Sequence, residues 1–182
     1  NSKANLISYD RVGYGIHQPG NVLGSIELET ELLENLISNL DPSKVILVGY
    51  SYGGPIALAS NKQYKKIVLL APAVYSKAEK MPWALNLYTW KATNWLVPKV
   101  WKAASKEKLL HTADLELLEN NWNTNPSKII SIHGTKDNIV PYENSLYLDE
   151  IFLSQQFELV TLEGTGHGLV WTHFKEIKNS LI

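Results

Sequence analysis

Four short runs of apolar residues have the length and composition of buried β-strands. They are rich in valine, isoleucine and leucine, and they occupy 45–48, 67–70, 129–132 and 157–162. The first two are apolar at every position, which is typical of a parallel strand that is covered on both faces. A further run at 5–9 predicts a short strand that leads into the loop 10–15.

Helical patterning fills the intervals between these strands. The segments that it predicts as helices are 25–40, 53–60, 141–153 and 171–182. Ser25 is a suitable N-cap for the first, and Asp41 with Pro42 ends it. Pro55 is compatible with the second because it falls in the first helical turn. Strands that alternate with helices predict an α/β fold, with a mainly parallel sheet and helices on both faces.

The stretch 76–125 interrupts this alternation. It holds five of the six tryptophans and several lysines, its patterning is mostly helical, and it contains no clear strand. We therefore expect a helical insert at 76–125, and a core domain composed of 1–75 and 126–182.

Composition narrows the classes of protein. With 182 residues, 45% of them hydrophobic, the chain suits one globular domain with an insert. The net charge of -1 and the scattered lysines argue against a nucleic-acid surface. No apolar stretch reaches the roughly 20 residues of a membrane helix. The absence of cysteine excludes disulfides and cysteine metal sites and fits a reducing compartment, so we expect a cytoplasmic protein.

The segment Gly49-Tyr50-Ser51-Tyr52-Gly53 places one serine between two glycines, directly after a buried strand and before a helix of small residues. A sharp strand-to-helix turn exposes such a serine and directs the first backbone N–H groups of the helix at a reacting carbonyl. The glycines would avoid clashes in a crowded turn. We interpret Ser51 as a candidate nucleophile, against the alternative of an ordinary glycine-rich turn.

A serine nucleophile needs a base, and a histidine base needs a carboxylate. His167 lies between two glycines just after the last strand, and Asp137 follows the third strand of the predicted sheet. Asp10 is the rival carboxylate. His133 ends a strand, where a packed or hydrogen-bonded histidine is expected. The remaining histidines are predicted to lie on the surface: His17, His111 and His173.

These motifs together resemble the α/β-hydrolase superfamily, in a form with a helical cap. Residues 45–53 are similar to its nucleophile elbow, 134–141 to its acid loop, and 166–167 to its histidine loop, in the order Ser, Asp, His. The loop 9–15 resembles the one after the fourth strand of the family, and 76–125 takes the place of its cap. The resemblance covers almost the whole chain.

The chain also departs from that pattern. If 5–9 is the fourth strand of the family, the three strands before it are absent, along with the loop that supplies a second oxyanion donor. No methionine or signal peptide stands at residues 1–4. We therefore expect a fragment of a longer protein, against the alternatives that the fourth strand pairs differently or that another chain completes the sheet. We also expect weak or no activity of this chain alone, since loss of one donor costs about 10²–10³ in rate.

The resemblance implies a serine hydrolase that cleaves an ester, thioester or amide through an acyl-enzyme. Ser51 would attack, His167 would transfer the proton, Asp137 would orient His167, and the Tyr52 N–H would bind the oxyanion. The expected substrate is a small apolar acyl compound that contacts Tyr50, Trp83 and Trp90; no metal or cofactor is implied. An acyltransferase or a carbon–carbon bond hydrolase could use the same triad, and a non-catalytic binding module on this scaffold is the alternative from another class.

Overall fold

The computed structural model describes residues 5–14, 22–80 and 99–181, without the side chains of 99–104. Its strands are β1 (Ile46–Tyr50), β2 (Lys66–Leu70), β3 (Ile129–Gly134) and β4 (Phe157–Leu162). Its α-helices are α1 (Ile26–Leu36), α2 (Gly53–Ala59), α3 (Lys99–Leu118), α4 (Glu143–Ile151), α5 (Leu169–Thr172) and α6 (Phe174–Leu181). Short 3-10 helices lie at Pro42–Lys44, Ser76–Ala78 and Glu119–Thr124.

The four strands form one parallel sheet in the order β1-β2-β3-β4. Side chains of β2 alternate between the two faces, so that Ile67 and Leu69 join one hydrophobic cluster and Val68 and Leu70 join the other. The first cluster includes residues of α1, α2, α3 and α4, and the second includes residues of α5 and α6. The predicted α/β fold, with helices on both faces of a parallel sheet, is confirmed.

The prediction that 45–48 is buried on both faces is wrong. In the described part of the chain β1 pairs only with β2 and therefore lies at the edge of the sheet. Leu47 is buried against the first cluster, whereas Val48, on the opposite face, remains 49% exposed. The apolar pattern identified the strand correctly but carried no information about its place in the sheet.

The strand predicted at 5–9 is also not observed. Residues 5–10 have no regular secondary structure, and Leu6 and Ile7 are 94% and 65% exposed. A β-strand is stabilised by its ladder of hydrogen bonds to a neighbour, and among the described residues none pairs with this segment. A short apolar run is therefore insufficient to form a strand here.

Two helices are shorter than predicted. Helix α1 begins after Ser25, whose side chain accepts from the Leu28 N–H, but it ends at Leu36. The helix expected at 171–182 is divided at His173, which has a non-helical backbone with φ -127° and ψ 42°. Between β2 and β3 the described residues of the 76–125 insert form α3 and 3-10 helices; the domain boundaries themselves stay a prediction.

A buried asparagine ties the end of α2 to the start of β3. Asn125 is 2% exposed and donates through Nδ2 to the carbonyls of Leu58 and Ser60 at 2.9 Å each, while its Oδ1 accepts from the Ser127 N–H at 2.9 Å. All three partners are backbone groups of loops or helix ends, which would otherwise be buried without hydrogen bonds.

We expect Asn125→Ala to lower the free energy of unfolding by about 2–3 kcal/mol, because it leaves buried carbonyls and an N–H unpaired. Asn123→Ala is the matched control, since Asn123 is exposed and such surface changes are worth within about 0.5 kcal/mol. Urea unfolding of both variants checks this, and equal losses would contradict the assigned role of Asn125.

Candidate active site

The turn that carries Ser51 has a strained backbone. Ser51 has a φ of 53°, in the left-handed region that non-glycine residues rarely adopt. Three hydrogen bonds hold it there: its N–H donates to the Leu70 carbonyl at 2.9 Å, and its carbonyl accepts from Gly54 at 3.0 Å and from Ala73 at 3.2 Å. Such strain persists only where the surroundings determine it, which is common at active sites.

The glycines around Ser51 serve different purposes. A Cβ on Gly49 would lie 2.4 Å from the Gly53 carbonyl oxygen, so the close approach of strand and helix requires glycine there. A Cβ on Gly53 would meet nothing within 4 Å among the described residues. With respect to those residues, the prediction that Gly53 avoids a clash is therefore wrong. The second crowded position is Gly54, where a Cβ would lie 2.5 Å from Pro72 Cβ.

Asp137 is a buried carboxylate with several donors. Its side chain is 0% exposed. Oδ1 accepts from the N–H groups of Ile139 and Val140 at 2.9 Å each, and Oδ2 accepts from His167 Nδ1 at 2.7 Å. Burial by itself would raise the pKa of Asp137, but hydrogen bonds from His133, His167 and these backbone groups outweigh it and hold the pKa well below its ordinary value. Asp137 is therefore ionised at neutral pH.

His167 is held by its contacts with Asp137 and Tyr50. With an ionised carboxylate at Nδ1, that nitrogen carries the proton in the neutral ring and Nε2 is left as the basic atom. The Tyr50 ring stacks on His167 with centroids 5.0 Å apart, and the Tyr50 hydroxyl donates to the His167 carbonyl at 2.9 Å. Because Tyr50 immediately precedes Ser51, the end of β1 and the loop after β4 meet here.

The loops after β3 and β4 are packed backbone to backbone. A Cβ on Gly134 would lie 2.2 Å from the Thr165 carbonyl oxygen. That same carbonyl accepts from the Lys136 N–H at 2.9 Å, and the Leu162 carbonyl accepts from the N–H groups of Thr135 and Thr165 at 3.1 and 3.3 Å. Glycine at 134 thus permits the approach that brings Asp137 to His167.

Sequence reasoning missed the charged cluster beside Tyr52. The Arg11 guanidinium lies over the Tyr52 ring, 4.4 Å from its centroid, and forms two hydrogen bonds of 2.8 and 3.0 Å to Glu107 of α3. The Tyr14 hydroxyl donates to Glu107 at 2.6 Å. Arg11 belongs to the loop motif noted in the sequence, but the only signal for Glu107 was its place on a helical segment.

His111 on α3 corrects the prediction of a surface histidine. It is 2% exposed, its ring centroid lies 4.9 Å from that of Tyr52, and Nε2 is 3.0 Å from the Ala73 carbonyl oxygen. Burial, with the nearby Lys108 charge, lowers the pKa of His111 to about 4. His111 is therefore neutral at neutral pH. No local pattern around it indicated these distant partners.

The structure thus places His167 in direct contact with both Asp137 and Tyr50, with Ser51 on the adjoining turn. In the described part of the chain Ser51 Oγ makes no hydrogen bond to His167. The rival carboxylate Asp10 is exposed, and His133 is fully buried as expected. Two residues predicted to contact substrate, Trp83 and Trp90, lie outside the described residues, as does His17.

Comparison with solved structures identifies the class to which this fold belongs. An alpha/beta hydrolase from a Medee basin deep-sea metagenome library is similar with a TM-score of 0.66 and 19% identity, over 93% of this chain and 74% of that chain. An esterase from Exiguobacterium antarcticum has a TM-score of 0.66 and 18% identity, over 94% and 78%. A meta-cleavage product hydrolase from Pseudomonas fluorescens has a TM-score of 0.59 and 18% identity, over 94% and 76%. These likenesses establish an α/β-hydrolase fold.

The family follows from the sequence itself. Residues 2–177 match the model of the Alpha/beta hydrolase family. The chain belongs to this family, and the resemblance found in its motifs is confirmed. Among the described residues no helix is both long and apolar enough to cross a membrane.

We expect Gly49→Ala to destabilise the protein by about 1–3 kcal/mol or more, because a methyl group there collides with backbone that has no freedom to yield. Gly53→Ala is the matched control within the same motif, and alanine is the better helix former by about 1 kcal/mol. Urea unfolding measures both. Equal destabilisation by the two substitutions would contradict the assigned packing.

Asp137 also predicts a pH dependence of stability. Its folded pKa lies below the unfolded value of about 3.9. The carboxylate therefore stabilises the fold above about pH 4, and this contribution is lost as the pH falls through the folded pKa. We expect the deficit in unfolding free energy of Asp137→Asn to be largest at neutral pH and to shrink in acid.

Chemical denaturation across the pH range tests this expectation. Asp149→Asn is the control, because Asp149 is exposed on α4 and its replacement should change little at any pH. A deficit of Asp137→Asn that stays constant down to about pH 2.5 would rule out the assigned contribution of the carboxylate.

Proposed function

We propose that the protein is a serine hydrolase that cleaves an ester, thioester or amide bond through an acyl-enzyme intermediate. Ser51 Oγ attacks the acyl carbon, and His167 Nε2 takes its proton and then gives it to the leaving group. Asp137 orients His167 and stabilises the imidazolium. Water attacks the acyl-enzyme in the second half of the reaction, with His167 again as the base.

The observation that supports this most directly is the 2.7 Å hydrogen bond between His167 Nδ1 and the ionised Asp137, beside the turn of Ser51. An imidazole fixed through Nδ1 presents Nε2 as a base, which is the part a hydroxyl nucleophile requires. The strained φ of Ser51 supports a catalytic turn over an ordinary one. A serine–histidine hydrogen bond often tightens only when substrate is bound, so its absence from the free protein is compatible with this mechanism.

The Tyr52 N–H is the proposed oxyanion donor. Tyr52 immediately precedes α2, and the first N–H groups of a helix have no partner within it. In the reaction this donor would meet the oxygen that becomes negative when Ser51 adds to the carbonyl. The contacts of the Tyr52 ring with Arg11 and His111 hold the residue in place.

The proposed substrate is a small apolar acyl compound. Tyr50 remains a proposed contact with the substrate. Trp171 adds an apolar surface beside Tyr50, because Trp171 is 78% exposed and its ring meets the Tyr50 ring edge-on, with centroids 6.2 Å apart. Trp83 and Trp90 stay in the proposal on the sequence alone. A cytoplasmic location is proposed only on the absence of cysteine.

Other activities on the same triad are acyl transfer and carbon–carbon bond hydrolysis. The structural likeness to a meta-cleavage product hydrolase keeps the second of these as a candidate. A non-catalytic binding module is the remaining alternative, but a binder has no need of an ionised Asp137 hydrogen-bonded to a histidine base.

A fluorophosphonate probe followed by intact mass measurement tests the proposal. We expect one adduct on the protein, no adduct on Ser51→Ala, and loss in that variant of the ester turnover that the protein shows. Ser43→Ala is the matched control, because Ser43 is an exposed serine remote from the turn. A folded protein that forms no adduct but retains a bound ligand in Ser51→Ala would instead support the binding module.

A further inference from the structure

His133 of β3 lies beside the carboxylate of Asp137 and is fully buried. Its side chain is 0% exposed. Nδ1 is 2.7 Å from Ser145 Oγ of α4, while Nε2 is 3.0 Å from the Val140 carbonyl oxygen and 3.5 Å from Asp137 Oδ2. Ser145 Oγ in turn lies 2.8 Å from Ser131 Oγ. The triad mechanism has no role for these three side chains.

The partners determine where the protons lie. A carbonyl oxygen only accepts, so His133 Nε2 carries a proton and donates it to Val140. In the neutral ring Nδ1 then accepts, and the Ser145 hydroxyl donates to it. The Ser145 oxygen is left to accept from Ser131, which completes a directed chain from Ser131 through Ser145 to His133.

This chain of hydrogen bonds ends at the turn that holds the carboxylate of Asp137 in place. Val140 is bound at both of its backbone groups, because its carbonyl accepts from His133 and its N–H donates to Asp137 Oδ1. The His133 N–H also lies near Oδ2, on the oxygen that accepts from His167. Movement of His133 would therefore shift both the turn and the orientation of the carboxylate.

The location of these three hydrogen-bonded side chains indicates a role beyond packing. Ser131 and His133 are two residues apart on β3 and so share one face, where they meet Ser145 of α4. Each of the three residues is 0% exposed. Burying polar groups is costly unless every one of them is paired, and apolar residues would fill such a site at lower cost.

We infer that His133 is a positioning residue, which holds Asp137 with Oδ2 directed at His167 and is itself fixed by Ser145 and Ser131. This inference rests on the proposed function, since it assigns His133 a part in presenting the catalytic base. It concerns orientation only and assigns His133 no contact with substrate.

Two substitutions separate this role from simple packing. In His133→Gln the amide nitrogen can take the place of Nε2 and donate to Val140, whereas in His133→Asn the shorter amide reaches only the position of Nδ1. The proton on His167 Nδ1 provides the spectroscopic reading, as a low-field proton resonance in ¹⁵N-histidine-labelled protein that is assigned by its loss in His167→Gln. We expect this resonance to persist in His133→Gln and to shift or disappear in His133→Asn.

Kinetics provides the second reading. A misplacement of about 1 Å costs on the order of 10²-fold in rate, so we expect kcat to fall about 10- to 100-fold in His133→Asn with KM little changed, and to recover in His133→Gln. An unchanged resonance and kcat in a folded His133→Asn would overturn the inference. If that variant does not fold, Ser145→Ala serves as the test, because it removes the hydrogen bond to His133 Nδ1 but keeps the imidazole ring. An unchanged resonance in Ser145→Ala would equally overturn the inference.

The two proposals fail in different ways. If the fluorophosphonate probe does not label Ser51 of the unaltered protein, the proposed function fails, while the resonance comparison still reports whether His133 orients Asp137. If Ser51 is labelled but the resonance and kcat are the same in all His133 variants, the proposed function stands and the positioning role is wrong.

Discussion

The parallel hydrogen-bond ladder from β1 to β4 is the constraint on which the rest of the structure depends. Because all four strands run in one direction, the chain leaves each of them at the same edge of the sheet. Ser51 follows β1, Asp137 follows β3 and His167 follows β4, so residues far apart in sequence are brought to one edge. The register of the ladder also sets how closely the loops after β3 and β4 can approach.

The loops at this edge hold two unfavourable features that the surrounding backbone stabilises. Ser51 adopts a φ of 53°, and Asp137 carries a negative charge with a side chain that is 0% exposed. Backbone hydrogen bonds offset both: those of Leu70, Gly54 and Ala73 hold the serine turn, and those of Ile139 and Val140 solvate the carboxylate. Without these hydrogen bonds both features would be unfavourable, and strained or buried charged groups that are held in this way are common at functional sites.

The parts predicted from the sequence are those that depend on local pattern. The apolar runs gave β2, β3 and β4, and the loop motifs placed Asp137 and His167 at one edge of the sheet. The errors concern properties that depend on remote partners. Val48 is exposed because β1 lies at the edge of the described sheet, and 5–9 is irregular because no described strand pairs with it. The burial of His111 depends on Tyr52 and Ala73, which are remote in the sequence.

The helical segment between β2 and β3 acts on the site through Tyr52. Arg11 lies over the Tyr52 ring and is bound twice by Glu107, while His111 packs against the same ring from α3. The side chain that adjoins Ser51 is therefore held from two segments, the loop at 10–14 and helix α3. Since the Tyr52 N–H is the proposed oxyanion donor, its direction depends on whether these two segments stay in contact. In this arrangement helix α3, which belongs to the predicted insert, also positions the proposed oxyanion donor.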